Sequence, residues 1–112
     1  MKRMLGTMIA SIAFFSSSSA MASAQTGKVV DIYVSAGPDG SAFMMAGTRT
    51  GKPACATEDL WAMELPNGDA GKALLSALLT AYSAGRNLII YGTGTCNSVI
   101  STRENISYIR LY

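Results

Sequence analysis

The chemistry open to this chain is bounded by its two cysteines and by the absence of histidine from all 112 residues. Without an imidazole, Ser-His-Asp and Cys-His nucleophilic arrangements are excluded, and so are histidine metal sites. Cys55 and Cys96 lie far apart in the sequence. Redox chemistry usually wants a close Cys-x-x-C pair, and a metal site wants more ligands. The pair therefore reads as one structural disulfide, Cys55 to Cys96, and loop-closure entropy puts its stabilisation at about 4 kcal/mol. Glu58 and Asp59 are adjacent carboxylates, but neighbours in extended backbone point to opposite sides, so they do not make a paired acid–base site. Gly92-Thr93-Gly94 follows an apolar run, as a phosphate loop would. It lacks the third glycine and the helix that should follow, and reads as a tight bend or bulge beside Cys96. Asn105-Ile106-Ser107 matches a glycosylation sequon at the start of a strand, a tripeptide common by chance. Met44 and Met45 fit a core or a subunit contact better than a metal site. The large amphipathic groups are Trp61 and the tyrosines Tyr33, Tyr91, Tyr108 and Tyr112. Trp61 either packs into the core or leaves a ring free to stack on a sugar or base. No catalytic residue, cofactor or metal ligand is expected, and the chain does not read as an enzyme.

One helix organises the elements that must position these residues. Over 67–85, Leu74, Leu75, Leu78, Leu79 and Tyr82 share one face, and Ala73, Ala77 and Ala81 form an adjoining strip. Asn67 or Asp69 is placed to cap its start, Gly85 to take the left-handed position after its end, and Arg86 to sit near its carbonyl pole. The rest is strand and turn. Residues 28–35 alternate Val30, Ile32 and Val34 with polar neighbours, and 36–40 is a Gly-Pro turn. Residues 41–50 make a second strand, 53–57 a third carrying Cys55, with 60–65 continuing or following it. Residues 87–92 are the most apolar strand, 97–104 a polar loop, and 106–112 a last strand. The order strand-strand-strand-helix-strand-strand matches a mainly β fold, a five-stranded OB-type Greek-key barrel with one helix between strands 3 and 4. An open antiparallel sheet with the helix across one face needs the same buried helix side.

Residues 1–24 read as a secretory leader: Lys2 and Arg3, an apolar stretch over 4–15, and Ala22-Ser23-Ala24 as a cleavage site, with release after Ala24. The nine basic residues include Lys2 and Arg3, while all seven acidic ones lie beyond the leader, so 25–112 carries no formal net charge. That single domain offers no basic surface for nucleic acid and no stable membrane insertion. It is addressed to the periplasm or the outside, where a disulfide persists.

The ordered features Ala54-Cys55-Ala56, Leu60-Trp61-Ala62, a Leu/Ala helix ending Ala81-Tyr82-Ser83-Ala84-Gly85, and a strongly apolar strand follow two strands and a leader. In this order they resemble the B subunits of bacterial AB5 toxins of the subtilase cytotoxin and typhoid toxin group, and many small secreted proteins of similar pattern. The resemblance implies an OB fold, a ring-shaped homopentamer and binding of sialylated or other cell-surface glycans. It implies a toxin A chain as a partner and no catalysis in this chain. It names no ligand-binding residue; Ser35 and Lys52 are polar positions near the expected barrel mouth. In such a ring, helices line a central pore, and the Ala73, Ala77, Ala81 strip would meet a neighbour while Lys72, Ser76 and Thr80 face the pore. The competing reading is a small periplasmic accessory or structural protein with the same fold and no lectin activity.

Overall fold

The computed structural model describes residues 6, 11, 23–36, 41–64 and 66–112. Most of the leader, residues 37–40 of the expected first turn, and Leu65 lie outside the described residues. The described residues are mainly β, with a six-stranded sheet and one helix. The strands are β1 (Ala24–Tyr33), β2 (Ala42–Met45), β3 (Arg49–Thr50), β4 (Trp61–Ala62), β5 (Asn87–Cys96) and β6 (Glu104–Leu111), with helix α1 (Asp69–Ala84) between β4 and β5. Strand β1 pairs antiparallel with β2 in its second half and with β3 and β5 in its first. Strand β2 pairs with β4, β4 runs parallel to β6, and β6 pairs with β5, so the pairings return to β1.

Several strand assignments are corrected: β1 runs from Ala24 to Tyr33 in place of the expected 28–35, and β5 continues past the expected 87–92 to Cys96. The expected second strand is two: β2 and β3 are separated at Ala46-Gly47-Thr48, where Gly47 takes a φ of +99°. The expected third strand over 53–57 is turn and loop, and pairing begins only at Trp61. The Pro53 carbonyl accepts from the Ala56 N–H at 3.0 Å, and that of Cys55 from Thr57 N–H at 3.0 Å. Those bonds close turns, so the segment is not free to join a ladder. The polar loop ends earlier than expected, because Glu104 and Asn105 are already in β6 beside Trp61 and Ala62.

Helix α1 starts at Asp69 with Gly68 as its N-cap and no side-chain cap. It ends as its sequence requires: Gly85 is left-handed at φ +63°, and the Arg86 N–H reaches back to the Ala81 carbonyl at 3.0 Å. The Arg86 guanidinium turns away from the helix pole and donates to the Tyr112 carbonyl at 2.9 Å. The buried face is Gly71, Leu78 and Ala81, flanked by half-buried Leu74 and Leu75. Leu79 and Tyr82 are 43% and 51% exposed, so the core-facing stripe is rotated from the expected one and takes in Ala81. Leu78 has no exposed surface and belongs to the same buried core as Val29, Phe43, Trp61, Leu88 and Ile90. Burying a leucine this completely contributes about 1.5–3 kcal/mol.

The disulfide joins Cys55 to Cys96, with Cα atoms 6.2 Å apart. A second tie runs parallel to it. The Glu58 N–H donates to the Thr102 carbonyl at 3.1 Å, and the Glu58 carboxylate accepts from the Thr102 hydroxyl and from Arg103 Nε at 3.0 Å. The loop over 52–60 is thus fastened to the segment between β5 and β6.

Candidate functional site

Four strand ends converge on one polar cluster. Register sets Gln25 of β1 opposite Arg49 of β3, and Trp61 of β4 beside Glu104 of β6. The Arg49 guanidinium lies 3.8 Å over the Trp61 ring and donates from Nη2 to Glu104 Oε1 at 2.5 Å. Both partners are buried, with side chains 7% and 0% exposed. Glu104 also accepts from the Ser23 hydroxyl through Oε1 and from the Gly94 N–H through Oε2 at 2.9 Å. Only glycine fits at position 92, because a Cβ there would collide with the Glu104 carboxylate. Gln25 completes the arrangement: its Nε2 donates to the carbonyls of Met45 and Gly47 at 3.2 and 2.8 Å, and its Oε1 accepts from Trp61 Nε1 at 2.8 Å. The indole N–H is therefore satisfied, and Trp61 belongs to the core, not to an exposed stacking platform.

One part of the cluster is left over. Arg49 Nε and Nη1 are buried without a hydrogen-bond partner. An unpaired buried donor costs about 1–3 kcal/mol, offset here by the indole face beneath the guanidinium. Above Arg49 is a pocket of about 280 Å³, also bordered by Gln25, Met44, Gly47, Lys52 and Asp59. Lys52 and Asp59 form its rim as an ion pair at 3.0 Å, on the loop fastened by the disulfide. The guanidinium gives Glu104 one hydrogen bond, from Nη2, and its Nε and Nη1 donors remain without an acceptor. The charged groups lining the pocket are Arg49, Lys52 and Asp59.

The other sequence candidates lie elsewhere. Glu58 and Asp59 point apart, one to Arg103 and one to Lys52. The Arg103 and Thr102 partners hold the Glu58 carboxyl below its ordinary range, Thr102 the larger cause. Gly92-Thr93-Gly94 lies within β5, where the register with β6 shifts, and the Thr93 hydroxyl bonds Thr95 locally, so it is a bulge. Asn105 is buried, bonded to Asn97 and to Glu64, and offers no amide for a glycan. Tyr91 and Tyr108 are register partners whose rings stack with centroids 4.5 Å apart. Met45 is in the core and Met44 borders the pocket. Lys52 reaches the pocket; Ser35 lies exposed beyond the end of β1. Among the described residues, no group of three acidic or cysteine side chains gathers to hold a metal ion. The sequence reading missed Arg49 and Glu104 altogether. Neither carries a motif, and only the register brings them together. No protein-family model matches the chain, and neither does any curated protein or solved structure.

Proposed function

We propose that this chain is a secreted, non-catalytic binding subunit that recognises cell-surface glycans, and that its returning strand pairings form an OB-type Greek-key barrel. The observation that carries the binding reading is the pair of buried Arg49 donors, Nε and Nη1, that have no acceptor beside a polar pocket. A carboxylate on an acidic sugar matches those donors in charge. Lys52 adds a second positive group once its link to Asp59 is exchanged for the ligand. A ring of like subunits, implied by the toxin resemblance, would use the outward side of α1 with Leu79 and Tyr82 beside Ser76 and Thr80, and not the expected Ala strip, whose Ala81 is buried in the chain's own core.

The test is binding of the oxidised, folded protein to an array of neutral and acidic oligosaccharides, with light scattering on the same sample. Acidic glycans are expected to be retained. Lys52→Glu alters only an exposed ion pair, and is expected to keep the thermal midpoint while weakening retention by about tenfold or more. A folded protein that binds no glycan, and stays monomeric at micromolar concentration, overturns this proposal in favour of a periplasmic accessory role.

A further inference from the structure

The sequence offers signal peptidase two overlapping small-x-small sites, Ala20-Met21-Ala22 and Ala22-Ser23-Ala24. The fold treats the two residues that separate their cuts as its own. Ser23 has no exposed surface. Its hydroxyl donates to Glu104, and its carbonyl accepts from the Gly92 N–H at 2.8 Å. Ala24 opens β1, with Thr50 as its partner on one side and Tyr91 on the other. Its carbonyl also accepts from the Thr50 hydroxyl at 3.4 Å. Release after Ala24 would remove every one of these bonds. Glu104 would lose one of its donors, the N–H of buried Gly92 would lose its acceptor, and β1 would be shortened where it meets β3. Release after Ala22 removes none of them.

We infer that the mature chain begins at Ser23. The inference rests on the export reading above. The Ala22–Ser23 amide is hydrolysed: water supplies the oxygen of the new Ala22 carboxylate, and Ser23 keeps the nitrogen as an α-ammonium. That ammonium sits on the residue whose hydroxyl already binds Glu104. Processing therefore places a new cation on a residue that already bonds the Glu104 carboxylate through its hydroxyl.

The experiment is expression of the full precursor in a bacterium with Sec export, followed by intact mass and N-terminal sequencing of the periplasmic product. The expected start is Ser23-Ala24-Gln25. A processed chain starting at Gln25 overturns this inference and leaves the export reading standing. An unprocessed chain retained in the cytoplasm overturns both. A second measurement compares oxidised chains made to begin at Ser23 and at Gln25. The shorter one is expected to melt roughly 5–15 °C lower. Equal midpoints would show that the two residues are dispensable to the fold, and would also overturn the inference.

Discussion

Replacing Glu104 by glutamine tests whether the polar cluster is held together by charge. The substitution keeps the shape of a side chain with no exposed surface. Glu104 accepts from three donors: the Ser23 hydroxyl and Arg49 on Oε1, and the Gly94 N–H on Oε2. A glutamine has one acceptor oxygen and one donor NH2. Whichever way the amide turns, an N–H faces a donor that had an acceptor before. The larger effect is on Arg49, whose counter-charge is gone while its guanidinium stays buried over Trp61. Removing one member of a buried ion pair costs about 3–5 kcal/mol. For a domain of this size that is a fall in Tm of roughly 12–40 °C, and a large part of a total stability of about 5–15 kcal/mol. Trp61 is the chain's only tryptophan and is fully buried, so its fluorescence reports the transition. Arg49→Met is the companion change, because an apolar chain can lie on the indole face. The double variant Glu104→Gln/Arg49→Met is expected to regain most of the stability lost by the single change, since replacing both partners of a buried pair is often close to neutral. A single variant within about 1 kcal/mol of the parent, or a double variant as unstable as the sum of the two singles, would refute the reasoning.

Three further outcomes are expected. Cys55→Ser/Cys96→Ser loses about 4 kcal/mol by the loop-entropy estimate, read by urea denaturation at equal protein concentration; an unchanged midpoint would mean the ties from Glu58 to Thr102 and Arg103 suffice. Leu78→Asp places a carboxylate without a partner in the core and is expected to cost more than about 3 kcal/mol, so a soluble variant with the parental Tm would contradict the helix orientation. Glu58 has its pKa lowered from 4.5 in the folded state, so its contribution is present above that value and is lost as pH falls below it. Stability measured from pH 7 to pH 3 is expected to show parent and Glu58→Gln converging below about pH 4.5; the effect is small, since the carboxylate is 38% exposed, and a gap that widens towards acid would reverse the assignment.

Local regularities carried much of the fold. Residues that repeat every third or fourth position, bounded by Gly85, place a helix at α1 within two residues of its observed ends, because helical bonding is a property of near neighbours. The apolar run from Leu88 marked β5, and two cysteines in a chain read as exported left one pairing to make. What failed was whatever depends on a distant partner. Leu79 and Leu78 are equally apolar, and only the position of the sheet decides that Leu78 turns inward while Leu79 does not. Residues 53–57 resemble a strand in composition, yet a strand exists only where another strand supplies its bonds, and those residues close turns on themselves. The site shows the same division. Cys55, Trp61 and Lys52 stood out by residue type, whereas Arg49 and Glu104 are ordinary charged residues 55 positions apart. Their meaning comes from the register of β3 on β1 and of β4 on β6, which places both where water is excluded and each is the other's counter-charge. Desolvation is a property of the assembled tertiary structure, and no pattern of neighbours along the chain encodes it.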